Sequence, residues 1–280
     1  MDIKHIYKDN LLYPSLLKEI YDPPDMLYYK GIIPKNNALK LSVVGSRKMS
    51  PYGKSVLECL LPPVIQAGIE IISGLAIGVD GEAARITLKN SGITHAVIGS
   101  GLSETLLYPK AHIGLAHDIL KKGGSIISEH DTTVPALPRH FAMRNRIIAG
   151  LSHAVLIVEA AEKSGSLITA ECALNYGREV LVVPGEITKI NSKGTNTLIK
   201  NGAYIVDSPS DILSLFNIES AITETKITEP LLVELSSGPK HIDELANALH
   251  LTVSEVSARL SKLEIVGIVK NIGNMHYIKN

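Results

Sequence analysis

With 280 residues, 45% of them apolar, the chain is long enough to bury a sizeable core and to form one large domain plus a small one. Its 28 basic and 28 acidic residues cancel, which weighs against a protein that coats nucleic acid by bulk charge and confines any anion site to a local patch. No apolar run approaches the length of a bilayer span and the first residues, MDIKH, lead into no signal-peptide core, so a soluble, cytoplasmic protein without a membrane partner is expected.

Residues 1–40 carry turn signals at Tyr13-Pro14, Asp22-Pro23-Pro24 and Ile33-Pro34 and too little periodic apolar pattern for a domain of their own. They read as an N-terminal arm that packs on the core. From Leu39 a regular alternation begins. LKLSVVGS, IEIISG, THAVIGSG, GSIISE, HAVLIVEA, EVLVVPG and AYIV are short β-branched runs, and helix-like stretches fall at about 51–67, 80–90, 111–121, 144–151, 166–176 and 196–201. Such an alternation describes βαβ units, so an α/β fold is expected over 41–215, a Rossmann-like, doubly wound, mostly parallel sheet covered on both faces. The two cysteines, Cys59 and Cys172, fall in different predicted helices and read as small buried residues rather than a disulfide or a metal pair.

Residues 216–228 read as a linker. In 229–280 the pattern changes to three short helices, at about 229–235, 242–250 and 253–266, and an apolar hairpin turning at Ile272-Gly273-Asn274, which is the winged-helix order. In the expected recognition helix Glu255 and Glu264 cancel Arg259 and Lys262, which is poor evidence for tight duplex binding and leaves a packing or protein-contact role at least as well supported.

Ligands of open parallel sheets bind outside the carboxyl ends of the strands. Those ends carry Gly45-Ser46-Arg47, then Ser73-Gly74-Leu75-Ala76 with Asp80 as a helix cap, then Gly99-Ser100-Gly101 followed by Tyr108-Pro109. Further on come Lys163-Ser164-Gly165-Ser166, and Pro184-Gly185 with Lys189 and Lys193 beyond. Between Asp131 and Glu159 no acidic residue occurs, yet Arg139, Arg144 and Arg146 fall there, with Phe141 as an aromatic in a predicted loop. Arginines without local counter-charges, beside a strand, turn and helix, point to a phosphate-bearing partner. The competing reading is that they pair with carboxylates elsewhere in the fold.

There is no GxxxxGK[ST] segment, and Gly99-Ser100-Gly101 lacks the third glycine of a dinucleotide fingerprint, so no cofactor is expected. His112 and His117, five apart, share no helix face at ligand spacing, and His130-Asp131 has no third partner, so no metal is expected. Glu129, Glu159 and Glu171 near strand ends could act as acids or bases but read first as caps and arginine partners. No catalytic residue is assigned, and the chain is not expected to be an enzyme.

The segments VGSRKMSPYG, SGLAIGVDGEA, GSGLSETLLYP, GGSIISEH, FAMRNRIIAGLSHAVLIVEAAEKSGSLITAECAL, GREVLVVPG and GTNTLIKNGA resemble, in order and spacing, the blocks of the DNA-processing protein A family (DprA, also called Smf) over about residues 10–210. The winged helix is similar to one appended in many members. The resemblance implies a protein that is not an enzyme, binds single-stranded DNA cooperatively, forms homodimers and loads the RecA recombinase onto DNA entering in natural transformation. By position it implies nucleic-acid contacts at Ser46 and Arg47 of the GSR block, at Arg144, Asn145 and Arg146 of RNR, and at Ser164, Gly165 and Ser166 of SGS. Phe141, just before RNR, would stack a base. Lys193 is the basic residue in the loop after PGE. Gly74, Gly101, Arg139 and Lys163 complete the expected nucleic-acid-binding set.

Three departures accompany the resemblance. Arg85 stands where the family usually has His, and would either strengthen anion binding or pair with Glu82. Ala142 stands where it usually has Pro, which should leave that loop more mobile. Residues 1–40 are too few for the helical module that many members carry ahead of the sheet. A different class, the nucleotide phosphoribohydrolases of the lysine-decarboxylase-like Rossmann group, resembles the same layout. Its PGGxGTxxE block is replaced here by SGSLITAE, with Glu171 the only echo. A transcription regulator acting through 229–280 is opposed by the neutral helix.

Overall fold

The computed structural model describes residues 2–218, 230–249, 251–265 and 268–279, and the chain divides into two compact units at residue 219. Of the linker expected at 216–228, only 216–218 lie within the described residues.

The first unit runs β1 (Lys4–Tyr7), α1 (Ser15–Lys18), β2 (Met26–Gly31), β3 (Lys40–Val44), α2 (Pro51–Gln66), β4 (Glu70–Ser73), α3 (Val79–Lys89), β5 (Thr94–Val97), α4 (Ile113–Lys121), β6 (Ser125–Ser128) and α5 (Pro138–Gly150). It continues with β7 (Ala154–Ile157), α6 (Gly165–Asn175), β8 (Glu179–Val182), α7 (Lys193–Lys200), β9 (Tyr204–Ile205) and α8 (Pro209–Leu215). The sheet order is β1-β2-β6-β5-β4-β3-β7-β8-β9, with β6 through β9 parallel and β1 and β2 antiparallel at one edge. This is the mostly parallel, doubly wound sheet read from the apolar runs.

Successive strand residues point to opposite faces, so every central strand feeds two cores. Leu41, Val43, Ile71, Leu156 and Leu181 pack under α2, α3 and α8 with Leu57, Ala83 and Ile212. Val44, Ile72, Val155, Ile157 and Val182 pack under α1, α5 and α6 with Leu17, Ile148 and Ala173. A third cluster lies under α4, around Ile98, Leu115 and Ile119.

Residues 1–40 do more than lie on the core, since β1 and β2 extend the sheet through the pairing of β2 with β6. Only Leu27 is buried in β2, which is why no strand period shows in the sequence there. The second difference concerns α5, which begins at Pro138 rather than near Arg144. In its first two turns the inward face carries His140, Arg144 and Asn145, and aliphatic residues join it only from Ile147, so the apolar period that marks a helix is absent from the start of the segment. Phe141 and Ala142 therefore lie on the first turns of a helix rather than in a loop, with Pro138 at its start as the missed signal. Cys59 is exposed, not buried as expected, and Cys172 is half-buried; both are free thiols.

The second unit contains α9 (Pro230–Leu235), β10 (Lys240–His241), α10 (Ile242–Leu249), α11 (Val253–Ile265), β11 (Val269–Gly273) and β12 (His276–Lys279), with sheet order β10-β12-β11. Leu231, Leu245, Leu260 and Tyr277 centre its core. This is the expected winged helix, with β10 as an added short strand; the outer ends of the expected helices at 229, 250 and 266 lie outside the described residues. Both carboxylates of its α11 are engaged locally. Glu255 accepts the Thr252 N–H and hydroxyl (2.9 and 2.8 Å), closing a capping box, and Glu264 accepts the Asn271 N–H (3.2 Å).

Candidate nucleic-acid interface

From β3 the chain winds outward through β4, β5 and β6, then returns to the other side of β3 and winds through β7, β8 and β9. The crevice at that reversal, beyond the carboxyl ends of β3 and β7, is where doubly wound sheets bind ligands. The turns after the two strands are knitted together there: the Ser46 N–H donates to Glu159 O (2.7 Å) and the Val158 N–H to Val44 O (3.2 Å). The Glu159 carboxylate, 4% exposed, accepts the Ser50 N–H at 2.8 Å and the Ser50 hydroxyl, which fixes the start of α2.

A cavity of about 610 Å³ opens at this point, lined by Ser46, Arg47, Asp80, Phe141, Arg144, Asn145 and the Ser164-Gly165-Ser166 turn among others. Ser164 caps α6 through its hydroxyl, which accepts the Ser166 N–H (3.3 Å), so the positive end of the helix dipole faces the cavity. Asn145 donates to Gly165 O (3.0 Å) and ties α5 to that turn. A smaller cavity, about 100 Å³, adjoins it between Tyr108 and Phe141, with Gly74 and Arg144 also lining it. The two rings are 5.6 Å apart at 51°, and the Arg47 guanidinium lies 5.5 Å from the Phe141 ring centre.

The floor of both cavities is an arginine that solvent barely reaches. Arg144 is 4% exposed, donates to Val97 O, and its Nε–H has no partner among the described residues. Burial pushes its guanidinium down to about 10, with Asp80 opposing, so it stays charged at neutral pH. Asp80 is equally buried; burial raises its carboxyl, opposed by Arg144 and by the Gly74 and Gly45 N–H groups, the Gly74 bond being 2.8 Å. Asp80 is thus not the cap of α3, a position that Gly78 takes at φ +87, where a Cβ would meet Ser46 O at 2.3 Å.

Residues 4–217 match the family described as DNA recombination-mediator protein A, and 219–272 match the DprA winged helix domain. The chain belongs to the DprA/Smf family. Protein Smf of Escherichia coli K12 is 37% identical over 276 residues, 92% of this chain and 73% of that one. Among solved structures, DprA from Streptococcus pneumoniae superposes with a TM-score of 0.71 at 39% identity, over 76% of this chain and 74% of the other. DNA processing protein A from Helicobacter pylori, solved for its single-stranded DNA binding mode, gives a TM-score of 0.67 at 27% identity, over 78% and 96%.

The blocks that carry the DprA resemblance contribute unequally to the cavities. Ser46, Arg47, Phe141, Arg144, Asn145, Ser164, Gly165 and Ser166 converge on the larger one and Gly74 on the smaller. Arg146 does not join them. Residues two apart on a helix differ by about 200° in direction, so Arg144 and Arg146 face opposite ways. Arg146 instead pairs with Asp22 (3.2 Å) and Glu129, the competing reading for this arginine cluster. Arg139, Lys163 and Lys193 are exposed and lie outside the cavity linings. Gly101 supports a loop instead: its N–H donates to Val134 O (2.8 Å), and a Cβ there would meet Asp131 O at 2.3 Å.

Arg85 pairs with Glu82 (3.3 Å) and donates to His112 Nε2 (3.0 Å). A guanidinium only donates, so His112 carries its proton on Nδ1, which donates to Leu75 O (2.9 Å). That departure from the DprA pattern is thus absorbed in the fold. Glu171, the one echo of a phosphoribohydrolase, is exposed on α6 and lines neither cavity. Among the cavity residues that the expected set omitted are Lys48, Asp80, Tyr108 and Asn191. Tyr108-Pro109 was visible as a strand-end motif, whereas nothing local marks Asn191.

Proposed function

We propose that the crevice at the strand reversal binds single-stranded DNA, with a phosphate between Arg47 and the amino end of α6 and a base in the small cavity beside Tyr108 and Phe141. The observation that carries this reading is the position of Arg47. It borders both cavities, so one side chain serves a phosphate and the base next to it. Among the described residues no ion pair engages it, the pairs nearby belonging to Lys54 and Arg85 with Glu82. Its planar fork suits phosphate oxygens, and aromatic faces accept any base, so the site reads strand character rather than sequence. Only an unpaired strand can insert a base, which favours single strands over duplex. The role in binding follows the Helicobacter pylori relative, and it requires no catalytic step.

We further infer, from membership of the family, that the bound strand is protected and passed to the RecA recombinase by a homodimer during DNA uptake. Fluorescence anisotropy with labelled oligo-dT and a matched duplex, across a salt series, tests the binding. Wild type should prefer the single strand, and Arg47→Ala should lose that preference and flatten the salt dependence by about 0.7 per lost phosphate contact. An unchanged salt slope removes the crevice from the proposal. Stimulation of RecA filament growth on covered single strands tests the second part.

A further inference from the structure

Beyond Lys48 and Asn191 lies another cavity, of about 1110 Å³, bounded by Tyr52, Pro184, Gly185, Glu186 and Lys189. It shares Lys48, Ile190 and Asn191 with the switch-point cavity, so the two are neighbours across one ridge. We propose that this cavity is a second nucleotide subsite, which holds bases of the same single strand after it has crossed the ridge. The inference rests on the strand-binding reading above and extends the path of the strand.

The ridge is built to stay in place. Asn191 donates through Nδ2 to Lys48 O (2.8 Å) while its own carbonyl accepts the Ala160 N–H (2.7 Å), so it bonds the turn after β3 to the loop after β7. The outer wall is equally fixed, because the Asn196 side chain both accepts the Gly185 N–H (3.2 Å) and donates to Gly185 O (2.9 Å). A ligand that continues from one cavity to the next therefore passes over the ridge, where the Lys48 ammonium is exposed. Among the described residues Lys48 has no ion pair, whereas Lys189 is paired with Glu186 (3.7 Å). A phosphate linking two nucleotides would meet Lys48.

Past the ridge the chemistry changes from phosphate to base. The Tyr52 hydroxyl donates to Pro184 O (2.7 Å), so the ring is anchored, yet the residue is 49% exposed. Ile190, at the shared rim, is 71% exposed. A tethered aromatic beside an exposed aliphatic offers a low-entropy surface for stacking. Two carboxylates border this cavity: Glu159, buried and occupied by Ser50, and Glu186, held by Lys189 and by the Thr188 hydroxyl. They disfavour phosphate there, and the exposed Glu186 can accept an N–H from a base edge, including N3–H of thymine.

The test uses the full chain with labelled oligo-dT of increasing length, comparing wild type with Tyr52→Ala, Tyr52→Phe and Arg47→Ala, alongside oligonucleotides carrying one photoreactive 5-iodouracil. The expected result is that Tyr52→Ala weakens long oligonucleotides about 5- to 100-fold and leaves the shortest one that binds unchanged, while Tyr52→Phe keeps most of the affinity. Iodouracil should crosslink to Tyr52 only from positions that lie to one side of those that reach Phe141. If Tyr52→Ala has no effect, or the same effect at every length, while Arg47→Ala still abolishes binding, the second subsite is wrong and the first stands. If Arg47→Ala changes nothing, the strand-binding reading itself fails, and this inference with it.

Discussion

The Arg144 guanidinium occupies the space that a side chain on Gly74 would need: a Cβ built there would stand 2.0 Å from Nη1. Gly74 also donates its N–H to Asp80, so one residue both makes room for the buried cation and satisfies the carboxylate nearest to it in charge. Gly74 does not have a positive φ, so alanine is permitted by the backbone and excluded only by the arginine. Gly74→Ala should therefore displace Arg144, cost about 1–3 kcal/mol through an unsatisfied buried charge, and weaken binding of single strands. Urea unfolding beside oligo-dT anisotropy checks both; a variant with wild-type stability and affinity would contradict this role.

Arg146 and Arg47 should separate cleanly. Arg146 is held by Asp22 and Glu129 in a largely buried network, so Arg146→Ala leaves Glu129 unpaired and should lower stability by about 2–3 kcal/mol, somewhat below the cost for a fully buried pair. Its salt slope for strand binding should equal that of wild type. Arg47→Ala should show the reverse, with a flatter slope and an unchanged unfolding midpoint.

Gly165 opens α6 without a positive φ, and among the described residues no atom beyond its chain neighbours and the backbone of its own helix lies within 4 Å of where its Cβ would be. The fold therefore does not need glycine there. Gly165→Ala should leave thermal stability unchanged or raise it slightly, by up to about 1 kcal/mol, because the unfolded chain loses freedom. If a phosphate approaches the helix end closely, the added methyl should weaken oligo-dT binding several-fold. Equal affinities would place the strand elsewhere on the rim.

Acid should destabilise the protein in a defined window. Burial lowers the pKa of His130, with the charges of His140, Arg146 and Arg139 adding to it and Glu129 opposing. Burial also lowers that of His153, with Lys40 adding to it. Both histidines bind protons more readily in the unfolded chain, so stability is complete above about pH 6.5 and is lost as pH falls through and below that value. The His153 Nδ1 accepts the Lys40 N–H (3.2 Å), a bond that an amide oxygen can replace. Urea midpoints between pH 7.5 and 5 should fall for wild type and fall less for His153→Asn; a flat wild-type profile would refute the assignment.

Several features were determined by the sequence alone. The apolar runs from Leu41 to Val182 specify doubly buried strands by their period, and the small residues at their ends specify where the crevice lies. The blocks around Ser46, Asn145 and Ser164 specify the family, since each is local and continuous. Only the tertiary structure decided which of the two arginines Arg144 and Arg146 lines the cavities. Helical geometry turns Arg144 inward and Arg146 away, and the start of α5 at Pro138 is hidden because polar residues line the buried face of its first turns. The partners of Arg146, Asp22 in the first forty residues and Glu129 after β6, are far from it along the chain, and no local pattern encodes such a pairing. The same holds for the ridge, where Asn191 reaches Lys48 across 143 residues, a contact set by how β3 and β7 come to lie side by side.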